Sequence, residues 1–390
     1  MVRQISPKIR KWIVINLIVW CGVGLSLLLF RYSVDFRHFY SHGFYLAGIR
    51  LRILLTGWFP FSIGDILYLA LAGWIILGAW RLLRHLIRFR REKQYIAPLL
   101  LRLICITGLL YGVFLWGWGF NYRYNRIRDA FGIQQRYYRT ADLMQLCCLL
   151  ADNINASHRQ LQQRDQDSIP DFPAVRSVFR QAPGYYNALS DIYPALRCPH
   201  SSIKPSMYGQ LMNYAGITGY FNPFTAEAQL NTTPPPVSLP FTVCHEMAHQ
   251  LGFAAEDDAN FVGYLVAASA ADPYFRYSAN FEILPYALRE LALRNSALSD
   301  SIWYKMLLPG VRKDYQTVED FYLQFRGTAN QMLNVFYDQY LKANQQEQGI
   351  KSYSEVVGLL IDYFHRRGYR QPTPSSAFWL PHSAPRAPSS

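Results

Sequence analysis

The sequence predicts a mainly α-helical membrane protein, with three N-terminal transmembrane helices and then a mostly helical α+β domain that contains a small β-hairpin or edge strand. Two observations support this fold class. Three long apolar runs lie in the first 122 residues, whereas amphipathic helical patterns with polar connections follow them. In addition, 51% of the residues are apolar, 17% are charged and the mean hydropathy is close to zero. Such a balance is typical of a chain that is partly in lipid and partly in water.

The predicted transmembrane helices cover residues 12–30, 64–82 and 102–121. The first run contains Asn16 as its one strongly polar residue and is long enough to cross a bilayer as a helix. The second run is shorter, but Arg81 and Arg84 can extend their side chains to the interface. Trp116 and Trp118 stand where an interfacial aromatic belt is expected at the end of the third.

The charge distribution predicts an orientation in the membrane. Arg and Lys are concentrated before the first run and between the second and third runs, which places both segments in the cytoplasm. Three crossings then leave everything after Tyr122 outside, although Arg50 and Arg52 in the first external loop weaken the asymmetry. Between the first two spans, Ile53 to Ile63 is apolar but too short to cross and contains Pro60, so we expect it to be interfacial or re-entrant.

The net charge of +13 is compatible with nucleic acid or with an anionic membrane. The basic residues flank the apolar runs, and no zinc-finger, basic-helix or aromatic RNA-binding pattern accompanies them. The sequence therefore favours a lipid bilayer as a partner and excludes nucleic acid.

The chain divides into three predicted parts. These are a membrane domain at residues 1–122, a globular domain at 123–370 and a disordered tail rich in Pro and Ser at 371–390. In the globular domain, Tyr214 to Leu230 predicts a short hairpin around the Asn222–Pro223 turn. Cys198 and Cys244 are a conceivable disulfide pair, but their spacing does not demand one. Helices are expected at residues 140–155, 255–270, 281–294, 318–342 and 354–367.

The segment that carries the chemistry reads His245-Glu246-Met247-Ala248-His249, an HExxH pattern. Ser238 and Pro240 predict the start of a helix just before it. On a helix, His245 and His249 share one face and can bind a single Zn²⁺ ion. Glu246 lies beside that face and is predicted to be the catalytic general base. The alternative is an ordinary amphipathic helix with two surface histidines.

A catalytic zinc ion needs a third protein ligand and keeps its fourth position for water. Gly252 can end the helix in a left-handed conformation and turn the chain back, so that Glu256 returns to the metal. Asp257 and Asp258 are alternative ligands, and His200 is a weaker one. All three acidic residues could instead be favoured simply by a helix N-terminus.

One helical turn after Glu256, Asn260 could hold a ligand in place by a hydrogen bond. Tyr214, Tyr220 and Tyr264 are possible substrate or oxyanion contacts, although a tyrosine in such a position is more often a packed aromatic residue.

The residues Glu256-x-x-Ala259-Asn260 resemble the ExxA[ND] element that follows HExxH in glutamate-zincin peptidases, whose Glu is the third ligand. More broadly, the chain resembles a bacterial membrane family of unknown function. The matching stretches are Phe61 to Asp65, Trp118 to Tyr122, Gly216 to Gly219, Leu239 to Phe241 with His245 to Phe253, and Tyr353 to Leu360. This resemblance implies three membrane spans and a zincin-like domain in the bacterial inner membrane, and it implies no substrate.

Together these features predict a membrane-anchored zinc metallopeptidase that hydrolyses peptides or proteins. The hairpin could supply an edge strand that pairs with an extended peptide. The alternative is a membrane sensor or scaffold, not an enzyme, with a structural or degenerate zinc site. An intramembrane protease is excluded, because the acidic residues 256–258 closely follow the HExxH helix.

Overall fold

Three long apolar helices lie at the N-terminal end of the chain. The structure is a computed structural model and describes residues 6–124, 126–133, 137–162, 172–327 and 353–367. The N-terminal part comprises α1 (Pro7–Tyr32), α2 (Val34–His38), α3 (Tyr45–Thr56), α4 (Ile63–Ile87) and α5 (Phe89–Gly117). By length and composition, α1, α4 and the part of α5 from Tyr95 onward could each cross a membrane. Helix α5 packs against both α1 and α4.

The third apolar helix ends earlier than the predicted residue 121. Trp118 leaves the helical conformation with φ −157° and ψ −46°, and a 3₁₀ turn over Gly119–Arg123 follows. The physical reason is burial, because the Trp118 ring is 3% exposed and lies 4.6 Å from the ring of Phe221, centroid to centroid. The chain therefore turns into the rest of the protein one residue after α5.

Between the first two apolar helices lie α2, a π-helical stretch at Phe39–Phe44 and α3, which is followed by a short turn. Helix α3 buries Ile49 and Ile53, while Leu54 and Leu55 are exposed. Helix α4 begins after Ser62, whose hydroxyl accepts a hydrogen bond from the Asp65 N–H at 2.9 Å, as expected of an N-cap residue.

The remaining helices form one core around the HExxH segment. They are α6 (Arg126–Phe131), α7 (Thr140–Gln162), α8 (Val175–Leu189), α9 (Gly209–Ala215), α10 (Leu239–Gln250), α11 (Glu256–Ala268), α12 (Pro273–Arg294), α13 (Ser296–Ser301), α14 (Pro309–Leu323) and α15 (Tyr353–Arg366). Helix α12 packs against α7, α10 and α11, and these helices bury Leu146, Leu150, Met247, Phe261 and Ile283 completely. Burial of such side chains is the main source of stability in a core of this kind.

Helix α12 starts eight residues before the predicted Phe281. The carboxylate of Asp272 accepts a hydrogen bond from the Tyr274 N–H at 2.9 Å, and Pro273 occupies the first helical position. Helix α14 likewise starts earlier than the predicted helix at 318–342. The residues of that prediction beyond 327, and the predicted tail at 371–390, lie outside the described residues.

A three-stranded sheet lies beside α10. Strands β1 (Ile203–Pro205), β2 (Gly219–Asn222) and β3 (Glu227–Leu230) have the order β1-β3-β2. The hairpin of β2 and β3 is antiparallel, with Tyr220 opposite Gln229, which confirms the prediction of a hairpin. Strand β1, which pairs in parallel with β3, was not expected.

Strand β2 is an edge of this sheet as far as the chain is described. The Asn231 N–H donates to the Thr218 carbonyl and the Ala226 N–H to the Asn222 carbonyl, each at 2.8 Å. Hydrogen bonding alternates along an antiparallel strand, so the peptide groups of Gly219 and Phe221 face away from β3.

Candidate metal centre

Helix α10 presents His245 and His249 one turn apart on the same face. Their ring centroids are 4.8 Å apart, with the ring planes nearly perpendicular at 89°. The side chain of Gln250 anchors the helix to the sheet region by donating to the carbonyls of Ser202 (2.7 Å) and Ala226 (3.0 Å). Both histidines are thus carried by an element with little freedom to move.

The chain reverses at Gly252, as the sequence predicts. Gly252 has φ +91°, its N–H donates to the His249 carbonyl at 2.8 Å, and the Phe253 N–H donates to the Ala248 carbonyl at 3.1 Å. These two bonds are those of a Schellman motif. A Cβ atom here would lie 2.8 Å from Cε1 of Tyr45, so space and conformation both require glycine.

The same turn orients the second histidine. Nδ1 of His249 lies 2.7 Å from the carbonyl oxygen of Phe253. Since a carbonyl can only accept, Nδ1 carries a proton, and Nε2 is the atom that can offer a lone pair to a metal ion. A ligating histidine is commonly held by such a bond to a backbone carbonyl.

Glu256, the first residue of α11, completes the group. Its Oε2 atom lies 3.2 Å from Nε2 of His245 and 3.8 Å from Nε2 of His249. One ligand atom from each residue lies within 4.8 Å of the other two, so the group could hold a metal ion. Two imidazoles and one carboxylate suit a divalent cation that keeps a position open.

The close approach of α10 and α11 depends on Gly263. A Cβ atom at this position would lie 3.0 Å from the backbone nitrogen and 3.1 Å from Cα of His245. A larger residue would therefore push α11, and Glu256 with it, away from the two histidines.

Electrostatics in the centre favour the binding of a cation. Burial lowers the pKa of His249, but the hydrogen bond and the charge of Glu256 outweigh it and raise the pKa to about 9. Burial raises the pKa of Glu256, but the hydrogen bonds from His245 and His249 bring it below its usual range. The Glu256 carboxylate therefore favours the protonated form of His249, and a bound metal ion would displace that proton.

A cavity of about 550 Å³ opens onto these residues. It is lined by β2 on one side, by Trp118 and Tyr122 on a second, and by α12 and α14 on a third. Besides Glu246 and Glu256, one further carboxylate, Glu282, lines it, and burial raises the pKa of Glu282.

Glu246 lies between the metal group and the edge strand. A Cβ atom on Gly219 would come within 2.8 Å of both Cγ and Oε1 of Glu246, so only glycine allows β2 to lie this close. The Oε2 atom is buried and has no hydrogen-bond partner among the described residues. Burial is the main cause that raises the pKa of Glu246, to about 7, a value suited to proton transfer near neutral pH.

The structure brings only some of the predicted site residues to the cavity. Asn260 lines it. Tyr220 also lines it, but its hydroxyl donates to the carboxylate of Asp65. Tyr264 is buried in α11, with its hydroxyl 3.4 Å from Oδ1 of Asn280, and Tyr214 packs edge-on against Phe325. Neither Tyr214 nor Tyr264 lines the cavity.

The alternative ligands lie outside the metal group. Asp257 and Asp258 face Glu355, and burial together with that carboxylate raises the pKa of both. His200 is exposed in the loop before β1. Cys198 and Cys244 are both buried free thiols, so the conceivable disulfide is absent.

Comparison with known families adds one finding. Residues 40–361 match the model of a family described as a protein of unknown function, DUF3810. The chain belongs to this family. Comparisons with curated proteins and with solved structures gave no match. The matched range contains the whole metal group and both apolar helices α4 and α5.

The ligand set can be tested by metal titration of the full chain in detergent. We expect about one divalent ion per chain, and His245→Ala or His249→Ala should weaken binding by more than about 100-fold, since changing even a supporting residue costs 10- to 100-fold. Glu256→Gln should also weaken it, because a neutral amide replaces an anionic ligand. Asp258→Asn is the matched control and should bind normally. Metal retained by the His245→Ala/His249→Ala double variant would show that the ion binds elsewhere.

Metal binding should also depend on pH. A metal ligates neutral imidazole, so below the His249 pKa of about 9 each ion must displace a proton. The apparent affinity should rise about tenfold per pH unit between pH 6 and 8. Calorimetry in two buffers of different ionisation enthalpy should detect about one released proton per ion. Glu256→Gln removes the charge that raises the His249 pKa, so the metal affinity of this variant should depend less steeply on pH. A pH-independent affinity in the unaltered protein would contradict the assignment of His249 as a ligand.

Proposed function

We propose that this protein is a membrane-anchored zinc metallopeptidase. The observation that carries the proposal is the position of Glu246, whose buried and unpartnered carboxylate oxygen lies beside the His245–His249–Glu256 group and at the wall of the cavity. An ordinary structural metal site has no need of a second carboxylate, one that is not a ligand, in this place.

The residues of the site have separate tasks in this proposal. His245, His249 and Glu256 hold zinc, which when bound would polarise the scissile carbonyl and lower the pKa of a water molecule. Glu246 takes the proton from that water and delivers it to the leaving amine nitrogen. Strand β2 offers the outward peptide groups of Gly219 and Phe221 to an extended substrate, which places the substrate next to Glu246.

The anchoring is part of the same proposal. The three apolar helices span the inner membrane of a bacterium, and the positive charge before α1 and between α4 and α5 keeps those segments in the cytoplasm. The metal centre, which follows the third span, then faces the extracytoplasmic side.

The catalytic role of Glu246 can be separated from metal binding. Glu246→Gln should keep the fold and about one zinc ion per chain, because this residue is not among the three that converge on the ion. Its rate on a peptide mixture should fall by at least about 10²–10⁴-fold, the usual contribution of a general base. The matched control is Glu282→Gln, which neutralises another carboxylate that lines the same cavity. Undiminished hydrolysis by Glu246→Gln would exclude this mechanism, and zinc binding without hydrolysis by the unaltered chain would favour a sensor or scaffold.

Membrane orientation can be tested with reporter fusions. Fused after Arg91, between α4 and the apolar part of α5, a reporter that works only in the cytoplasm should be active. Fused after Arg128, a reporter that works only outside the cytoplasm should be active. A fusion after Arg10, ahead of the first span, is the cytoplasmic control. The opposite result for Arg128 would place the metal centre in the cytoplasm.

A further inference from the structure

The candidate metal centre is in direct contact with the end of an apolar helix. Trp118 follows the last residue of α5, and its ring centroid lies 5.8 Å from that of His249. Arg52 of α3 fixes this junction, because its guanidinium donates to the Gly117 carbonyl at 3.0 Å and also to the Pro223 carbonyl beside β2. The end of the third apolar helix and the hairpin over the cavity are thus joined through one side chain.

Helix α3 contacts the HExxH helix itself. Tyr45 is fully buried, and its hydroxyl donates to the Gln250 carbonyl at 3.1 Å, at the end of α10. At the other end of α3, the Thr56 hydroxyl donates to the Thr225 carbonyl at 3.0 Å. The metal-binding helix and the hairpin turn are therefore both held by the segment between the first two apolar helices.

The start of α4 is tied to the sheet in the same way. The Glu227 carboxylate of β3 accepts a hydrogen bond from the Gly64 N–H at 2.6 Å. Asp65 accepts from the Met207 N–H at 2.7 Å and from the hydroxyl of Tyr220 on β2. These groups are buried, so the contacts are rigid compared with exposed ones.

Exposed apolar side chains continue to within a few residues of these junctions. Val113 is 58% exposed on α5, five residues before Trp118, and on the α3 side Leu55 and Trp58 are 64% and 85% exposed. Five helical residues span about 7.5 Å. This rise, the length of the Trp118 side chain and the 5.8 Å between the rings of Trp118 and His249 together place the metal centre on the order of 15 Å from surface suited to hydrocarbon. The polar layer on each side of a bilayer is itself about 5–7 Å thick.

We propose that the substrate is a peptide segment anchored in the same bilayer, cleaved about four residues from the point where its anchor leaves the hydrocarbon. This inference rests on the proposed peptidase function. An extended chain covers about 3.3–3.6 Å per residue, so about four residues bridge a distance on the order of 15 Å. The anchor is an acyl chain or a transmembrane helix, because either presents an extended peptide at this height. Anchoring converts the encounter into a reaction within one membrane surface and raises the effective substrate concentration.

The test uses the full chain with zinc, reconstituted into vesicles of phosphatidylcholine and phosphatidylglycerol. A soluble peptide that the enzyme cleaves in detergent is first selected from a peptide mixture. The same sequence is then attached to a palmitoyl chain or to a transmembrane leucine helix through spacers of 0, 4, 8 and 16 uncleavable residues. The 16-residue spacer is the matched control, since it gives the same surface concentration but allows other heights above the bilayer.

We expect both anchored series to be cleaved at least about 100-fold faster than the soluble peptide at equal bulk concentration, as tethering alone can supply 10²–10⁴-fold. The rate should be highest when the scissile bond lies about four residues from the anchor and should fall by the 16-residue spacer. Equal rates for all spacers and for the soluble peptide would overturn this inference and leave the peptidase intact. If no peptide is cleaved, anchored or soluble, by enzyme that has bound zinc, the proposed function itself fails and the inference with it.

Discussion

The reversal of the chain at Gly252 is the constraint on which the candidate metal centre depends. The Schellman motif ends α10 directly after His249, and its backbone positions the Phe253 carbonyl to accept the Nδ1 proton of that residue. One turn thus fixes the tautomer of a ligand and the direction in which α11 starts. Glu256 can reach the imidazoles because it is the first residue of that helix, and Gly263 lets the two helices approach closely enough for it to do so.

Charge in the cavity follows from this geometry. Glu246 and Glu256 are brought close together by α10 and α11, and Glu282 adds a third carboxylate to the lining. Buried carboxylates without cationic partners are costly, and such groups respond by taking up protons. The raised pKa of Glu246 is a response of this kind, whereas the pKa of His249 is raised, against the effect of burial, by the hydrogen bond and charge of Glu256. A bound divalent cation would replace the shared protons, which is why the metal and the proton compete here.

The three candidate metal ligands could be predicted from the sequence because they lie close to one another along the chain. His245 and His249 are one helical turn apart, and Glu256 follows across a short turn that Gly252 makes recognisable. The hairpin was predictable for the same reason, from the Asn222–Pro223 pair between two apolar stretches. Trp118, Gly219 and Glu282 were not predicted as site residues, since each reaches the cavity from an element distant in the sequence. Trp118 and Gly219 stand in stretches that carry the family resemblance, but nothing in those stretches indicates a contact with the HExxH segment. The three predicted tyrosines show the same limit. Their positions in the sequence gave no information on where the hydroxyls point, and of Tyr214, Tyr220 and Tyr264 only Tyr220 lines the cavity.

The polar contacts of the N-terminal region show that the apolar helices are not simply attached to the rest of the chain but are tied into it. Asp65 engages the hydroxyl of Tyr220, which removes that group as an oxyanion donor but holds β2 in place over Glu246. Tyr45 and Arg52 act similarly on α10 and on the hairpin turn. Tyr45 and Arg52 lie in α3 and Asp65 lies in α4, nearly 200 residues before the HExxH segment. This N-terminal region therefore helps to support the candidate metal centre. A displacement of α3 or α4 would therefore move the edge strand relative to Glu246, and the packing of the apolar helices sets the geometry of the cavity.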